Sequence, residues 1–252
     1  MIDYNPFSLE GKTILVTGAS SGIGRAIAIQ SSRMGASVCL CGRNEKRLED
    51  TFNELSGSVH SIFVGDLTNG NDRNLMVNSL PILDGIVYNA GIAKRQLCRM
   101  IKEVDLVNIM NTNFNSVVLF QRQILKSKKI QDGASIVMMA SRAASSPSIG
   151  NAIYSASKGA LISYSKVLGL ELSSRKIRVN SVCPGMVMTN LVKKEGDLMG
   201  VDFSEAQKKY PLGRFGSPEE IAYLSIYLLS DASAWMTGSC LDISGGGEMV
   251  LV

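Results

Sequence analysis

Tyr154 and Lys158 stand four residues apart in the stretch Asn151-Ala-Ile-Tyr-Ser-Ala-Ser-Lys-Gly-Ala-Leu161. In a helix this spacing projects both side chains from one face, about one turn apart. An ammonium held there stabilises a phenolate and draws the phenol pKa down from its usual value of about 10. Tyr154 would then give or take a proton near neutral pH. The same spacing also describes an ordinary surface helix pair, so the case for chemistry rests on what precedes it. Ala134-Ser-Ile-Val-Met-Met-Ala140 reads as a strand with Ser141 at its carboxyl edge. Open parallel sheets bind ligands outside those edges.

A second candidate for chemistry lies near the start. Lys12-Thr-Ile-Leu-Val-Thr17 reads as a buried strand, followed by Gly18-Ala-Ser-Ser-Gly22-Ile-Gly24-Arg25 and the apolar, helix-spaced run Ala26 to Met34. A glycine turn between strand and helix lets backbone approach a diphosphate, whose charge the helix N-terminus favours. The spacing is G-x-x-x-G-x-G rather than the commoner G-x-G-x-x-G, but the flanking strand and helix favour a nucleotide site. The next strand, Gly35 to Cys41, ends in Gly42-Arg43 with no carboxylate before Glu45. An acid there normally takes the ribose 2′-hydroxyl, whereas an arginine suits a 2′-phosphate. NADP(H) is therefore favoured over NAD(H), against the plainer reading of Arg43 as a solvated residue opening the next helix. Asp66 closes a third strand (Val59 to Val64), either as an acceptor for an adenine amino group or as a turn aspartate. Asn89-Ala90-Gly91 follows a fourth strand, Leu83 to Tyr88. Asn111 and Asn113 interrupt the helical region Lys102 to Leu125, where poor propensity implies a kink, a function or a satisfied core amide.

These elements must be held by a frame, and the rest of the chain describes it. Strands alternating with helices indicate a doubly wound α/β sheet. The long helix runs from Tyr154 through Leu172, Ile177 to Cys183 reads as a sixth strand, and Ser217-Pro218-Glu-Glu as a capped helix start running to Ser230. Ser239 to Ile243 makes a last strand before Gly245-Gly-Gly247. Residues 186–216 show no sustained period and read as a lid. With no linker or repeat, 1–252 is expected to form one domain. The net charge of +4 is modest and no basic tract occurs, which argues against nucleic-acid binding. The N-terminus lacks a signal-peptide pattern, and no apolar run approaches the roughly 20 residues of a spanning helix. Five scattered cysteines and one histidine, His60, disfavour a zinc site and suit a reducing cytoplasm.

Taken together, Thr17-Gly-Ala-Ser-Ser-Gly-Ile-Gly24, Asp66-Leu67, Asn89-Ala-Gly91, Asn113, Ser141, Tyr154-x-x-x-Lys158, Pro184-Gly185 and Thr189 resemble the short-chain dehydrogenase/reductase family. The match spans almost the whole chain in the family's order. The resemblance implies a single-domain Rossmann-type parallel sheet of about seven strands with helices on both faces. It also implies a catalytic tetrad of Asn113, Ser141, Tyr154 and Lys158. In that tetrad Tyr154 protonates a carbonyl oxygen as hydride arrives from nicotinamide, and Ser141 hydrogen-bonds the same oxygen. Lys158 holds the nicotinamide ribose and lowers the tyrosine pKa, while Asn113 seats a water in a proton relay. Gly18, Ser20, Ser21, Gly22, Ile23 and Gly24 would cradle the diphosphate, with Asp66 and Leu67 at adenine and Asn89, Ala90 and Gly91 near the adenosine ribose. Pro184, Gly185, Val187 and Thr189 would hold the carboxamide. Arg43 matches the basic position of NADP(H)-preferring relatives, with Ser20 and Arg25 as helpers.

Within the family the chain is similar to 3-oxoacyl-[acyl-carrier-protein] reductases, through Pro211-Leu-Gly-Arg-Phe-Gly-Ser-Pro-Glu-Glu-Ile and Thr237-Gly-x-x-Leu-Asp-Ile-Ser-Gly-Gly-Gly. Lys128, Lys129 and Arg175 sit where those reductases meet an acidic acyl carrier protein; a solvated helix end is the plainer account. Three features depart from the pattern: Tyr88 replaces the first asparagine of N-N-A-G, the helix after Asp66 is short, and Lys193 to Lys209 is long. The expected activity is NADPH-dependent reduction of a ketone, free or carrier-bound, such as a 3-oxoacyl thioester. The alternatives are a dehydrogenase or ketoreductase of a sugar, steroid-like or secondary-metabolite alcohol, and a non-catalytic NADP(H) sensor. The resemblance further implies a cytoplasmic homotetramer with no membrane segment.

Overall fold

The computed structural model describes residues 5–189, 192 and 202–247. Residues 190–191 and 193–201 of the expected lid and the apolar tail after Gly247 lie outside the described residues. Seven strands form one parallel sheet: β1 (Thr13–Thr17), β2 (Ser37–Gly42), β3 (Ser61–Val64), β4 (Leu83–Tyr88), β5 (Ile130–Met139), β6 (Arg178–Pro184) and β7 (Cys240–Ile243). Their order is β3-β2-β1-β4-β5-β6-β7. The winding direction therefore reverses between β1 and β4, the place where such sheets open a crevice at their carboxyl ends.

Alternation of side chains along the strands divides the core into two layers. Ile14 and Val16 face one layer with α1 (Gly22–Arg33), α2 (Glu45–Phe52) and, through Ile221, Ala222 and Ile226, α8 (Pro218–Leu229). Leu15 and Ile86 face the other. That side is closed by α3 (Gly70–Ser79), α5 (Ser116–Lys126) and α6 (Ala152–Glu171), through Met76, Phe120, Leu161 and Leu168. Each such fully buried aliphatic side chain contributes roughly 1.5–3 kcal/mol. Among the described residues no helix is long and apolar enough to cross a membrane.

Two departures from the sequence expectations have local causes. β5 begins at Ile130 rather than Ala134 because Ile130 already pairs with Leu83, and the register shifts before Gly85 pairs with Ser135. Gly133, at φ 81°, supplies the left-handed residue in that irregularity. The interrupted helical region resolves into α4 (Glu103–Met110), a π-helical turn at Asn111–Asn115, and α5. Such insertions widen the ladder by one residue and recur at functional sites. The helix after Asp66 runs for ten residues, so its shortness is mild.

Within 186–216 the described residues hold α7 (Phe203–Lys208), a parallel bridge between Val187 and Gly216, and a small apolar cluster of Ala206, Tyr210 and Phe215. The Gly245-Gly-Gly247 ending seats this cluster: a Cβ on Gly247 would stand 2.2 Å from the Tyr210 ring. α8 then starts on a reciprocal cap in which Glu220 N–H donates to Ser217 Oγ and Ser217 N–H to Glu220 Oε2. Arg214 grips the same carboxylate at 2.8 and 2.7 Å, and its hydrogen bonds lead the causes that lower the Glu220 pKa to about 2.

Tyr88, the departure at the end of β4, is wholly buried and donates to Gln121 Oε1 on α5 at 2.9 Å. It thus joins the sheet to the helix behind it. Tyr88→Phe keeps the ring but strips the buried amide oxygen of its donor, and is expected to cost about 1–3 kcal/mol, read from urea unfolding.

Candidate active site

The nucleotide half of the crevice is built on close backbone approach. Thr17, buried at the end of β1, donates to Val87 O and accepts from Asn89 N and Ala90 N at 3.0 and 3.2 Å. This single hydroxyl ties the ends of β1 and β4 together. Asn89 Nδ2 in turn donates to Gly18 O. A Cβ on Gly24 would stand 2.3 Å from Gly18 O and 2.4 Å from Asn89 Nδ2, so no other residue fits there. Gly18 and Gly22 take φ values of 66° and 55°, which other residues adopt at a cost. Ser21 precedes α1 without a side-chain cap, leaving the first-turn N–H groups to meet an anion. The residues present thus suit a dinucleotide diphosphate, on the ground that a tight, glycine-only cradle opens at an uncapped helix start.

A cleft of about 240 Å³ extends from this turn, lined by Gly18, Ser20, Ser21, Arg43, Asp66, Leu67, Asn89, Ala90 and Gly91 among the expected residues. Ile23 and Gly24 sit in the first turn of α1, and Gly22 faces Thr189, whose Cγ2 would be 3.3 Å from an added Cβ. Thr189 N–H donates to Val187 O, and Pro184 ends β6 with Gly185 hard against Ser244. Arg25 pairs instead with Glu54 and does not line the cleft. Arg43 is 65 % exposed, with Nη1 3.6 Å from Asp66 Oδ2. Burial pushes the Asp66 carboxyl up, but hydrogen bonds from Thr68 N and Oγ1, with the Arg43 charge, bring it below the usual range. It therefore stands as an ionised acceptor.

Several residues of this half were missed in the sequence. Arg47 lines the cleft beside Arg43; the signal was a second arginine in the first turn of a helix capped by Asn44. Thr68, Ile92, Thr112 and Ser116 also line it, and buried Arg73 donates to Leu67 O at 2.6 Å, holding the Asp66 turn. Only the folded chain brings these segments together.

The catalytic half gathers all four expected residues. Asn113, fully buried in the π-helical turn, accepts from Ile92 N at 2.8 Å and donates to Ile92 O at 2.9 Å and Ser157 Oγ at 3.0 Å. Its side chain thereby braces the loop after β4 against α6. A Cβ on Gly91 would lie 3.3 Å from Asn113 Oδ1 and 3.4 Å from Lys158 Nζ, so glycine makes room for both. Lys158 Nζ donates to Met139 O at 2.7 Å and stands 5.7 Å from the Tyr154 ring centroid. Ser141 Oγ accepts from Ala143 N–H at 3.1 Å and lies close enough to the Tyr154 hydroxyl to act on its titration.

The electrostatics differ from the sequence expectation. Burial raises the Tyr154 pKa above the usual phenol value, the Ser141 hydroxyl opposes this, and the Cys183 thiol adds to the rise. Burial also lowers Lys158 to about 8. The ammonium does not lower the phenol here because its amine is turned to Met139 O, and desolvation outweighs a charge on the ring face. Tyr154 is consequently held as the neutral phenol.

Lys129 and Arg175 are already engaged, Lys129 with Leu80 O at 2.6 Å and Arg175 with Asp132 and Ile130 O. They precede β5 and β6, at the amino edge of a sheet whose ligand crevice is at the carboxyl edge. A ten-residue strand separates Lys129 from Ser141 by roughly 30 Å.

Because the folded pKa of Lys158 is depressed from 10.5 to about 8, the cost of burying its charge is in full force below pH 8. It is relieved as pH rises from about 8 towards 10.5, where the unfolded chain binds the extra proton and stability climbs. Lys158→Met is expected to be more stable at pH 7 by about 1–3 kcal/mol, with the upward slope abolished. Urea unfolding at pH 7 and at higher pH checks both.

Known proteins resemble this chain over nearly its whole length. A family signature described as Enoyl-(Acyl carrier protein) reductase matches residues 18–248. A 3-oxoacyl-[acyl-carrier-protein] reductase of Rickettsia bellii (strain RML369-C) is 35 % identical over 243 residues, 96 % of this chain and 99 % of that protein. A solved structure described as a short chain dehydrogenase/reductase family protein superposes with a TM-score of 0.86 at 30 % identity, covering 96 % of this chain and 100 % of the other. An actinorhodin polyketide ketoreductase variant, solved with NADPH, gives 0.86 at 30 % identity over 93 % of this chain and 96 % of its own. With a glycine cradle at the sheet's switch point and Ser141, Tyr154 and Lys158 beside it, this chain belongs to the short-chain dehydrogenase/reductase family of nicotinamide-dependent oxidoreductases.

Proposed function

We propose that the chain is an NADPH-dependent reductase of 3-oxoacyl thioesters presented on acyl carrier protein. The observation that carries this reading is Lys158 beside Tyr154, its amine packed against Gly91, which lines the same cleft as Arg43 and Arg47. The names of relatives such as the Rickettsia bellii reductase support the thioester and its carrier. Arg43 directly after β2, with no carboxylate before Glu45, and Arg47 in the first turn of α2 support NADPH.

A bound dihydronicotinamide supplies the hydride. Tyr154, kept protonated by burial, gives its phenolic proton to the ketone oxygen. Ser141 donates a second hydrogen bond to that oxygen as charge develops on it, its own oxygen already oriented by Ala143 N–H. Lys158, with a pKa brought near 8, then returns a proton to the phenolate and is itself recharged from solvent. Asn113 positions this pair by bracing Ile92 against Ser157. Gly18, Gly22, Ile23 and Gly24 cradle the diphosphate, Asp66 accepts from adenine, and Val187 and Thr189 meet the carboxamide. Residues 186–216 cover the substrate within the single domain. Exposed Val104 and Val107 on α4, with Val167 and Leu170 on α6, support assembly with further copies into a homotetramer.

NADPH oxidation with a 3-oxoacyl thioester, beside a crotonyl thioester and a panel of sugar ketones, tests the substrate. Turnover with the crotonyl compound alone would overturn the reading in favour of carbon–carbon double-bond reduction. Tyr154→Phe is expected to lower turnover by about 10²–10⁴-fold while NADPH fluorescence titrates unchanged. Arg43→Ala should weaken NADPH about tenfold to a hundredfold and leave NADH affinity where it was.

A further inference from the structure

We infer that Cys183 and Cys240 form a redox-active thiol pair whose oxidation to a disulfide reversibly closes down the catalytic site. The two sulfurs are 3.1 Å apart. They lie diagonally across neighbouring strands: Ser181 pairs with Cys240 and Cys183 with Asp242, which puts all four side chains on one face of the sheet. The partners differ in access. Cys183 is 2 % exposed, whereas Cys240 is exposed on the outermost strand, which is hydrogen-bonded on one side only.

Cys183 also adjoins the reacting groups. Its sulfur faces the Ser141 N–H, and it is close enough to Tyr154 and Lys158 to influence the titration of both. A second tie runs parallel to the thiols: Arg142, next in sequence to Ser141, pairs with Asp242 of β7. Beyond β7 the chain is locked to the turn that follows β6. Gly185 N–H donates to Ile243 O at 3.0 Å, and a Cβ on Gly185 would be 2.9 Å from Ser244 Cβ. Any movement of β7 towards Cys183 is therefore passed to the Ser141 loop and the Pro184–Gly185 turn together.

Disulfide formation requires such movement. The sulfurs are 3.1 Å apart, while a disulfide holds them at about 2.05 Å. An edge strand can slide by the missing ångström or so, and a misplacement of about 1 Å at a reacting centre costs on the order of 10²-fold in rate. The oxidant is a small dialkyl disulfide such as glutathione disulfide. The exposed Cys240 thiolate attacks one of its sulfurs, forming a mixed disulfide and expelling one glutathione thiolate, which takes up a proton. Cys183, which burial keeps as the thiol, then loses its proton and attacks the Cys240 sulfur, expelling the second glutathione. Two protein thiols are oxidised and one small disulfide is reduced to two thiols.

The full chain, incubated with glutathione disulfide and then denatured, is expected to show three titratable thiols in place of five and a proteolytic fragment joining Cys183 to Cys240. In step with the cross-link, NADPH-dependent turnover should fall on the order of 10²-fold and return with dithiothreitol. Cys240→Ser should keep its turnover through the same treatment. Turnover rests on the reductase reading above, but the cross-link and an NADPH fluorescence titration do not, so the two ideas fail separately. A glutathione adduct on Cys240 without the cross-link would overturn the pair. A cross-linked protein with unchanged turnover and NADPH affinity would overturn its control of the site.

Discussion

The buried amide of Asn113 is the interaction on which the catalytic half of the molecule depends. Its oxygen and nitrogen close on both backbone groups of Ile92, and the nitrogen reaches Ser157 one residue before Lys158. The loop after β4, the π-helical turn and α6 are thereby held at one separation. An aliphatic residue in its place would leave the Ile92 N–H and C=O unpaired in the interior, each at a cost of about 1–3 kcal/mol. The helix accepts an extra residue in its ladder at Asn111–Asn115 to bring that amide to the right depth. A local irregularity is exchanged for the placement of a lysine amine beside Gly91.

Burial rather than pairing sets the chemistry of the two titrating groups. Lys158 and Tyr154 are both shifted towards their neutral forms, the amine down to about 8 and the phenol up. The carbonyl of Met139 takes the amine, so no carboxylate is needed to hold it. Such a site is destabilising for the fold at neutral pH, and it keeps a protonated phenol facing a serine hydroxyl. That is the state a ketone oxygen requires of a proton donor.

The two edges of the sheet do different work. At the carboxyl edge, Thr17, Gly18, Asn89 and Ser141 stand at the ends of three strands, and Gly18 and Asn89 line one crevice. At the amino edge, Lys129 and Arg175 satisfy helix and strand carbonyls. The segment from Pro211 to Glu220, in which the sequence resembles acyl-carrier-protein reductases, acts here as a structural clamp. Arg214 and Ser217 hold the Glu220 carboxylate at the start of α8, and Tyr210 rests on Gly247. Resemblance in that segment therefore speaks for a common way of seating the 186–216 region more than for a common substrate.

Period and punctuation in the sequence were enough to determine the alternation of strands and helices, the glycine turn, the capped start of α8 and the place where Asn111 and Asn113 disturb a helix. These are local effects: side-chain alternation, backbone freedom at glycine and hydrogen bonds within a few residues. Tyr154 and Lys158 were legible as a helical pair and Ser141 as a strand-end residue, whereas their grouping with Asn113 came only from the resemblance to the family. Tertiary structure alone decided what depends on distant neighbours. It brought Arg47 rather than Arg25 to the cleft, committed the Asn113 side chain to Ile92, and turned Lys158 towards Met139. It also raised the phenol that spacing alone suggested would be lowered, and set Cys183 against Cys240 across fifty-six intervening residues. Desolvation and contact between segments far apart in the chain have no local pattern, so only the assembled sheet could reveal them.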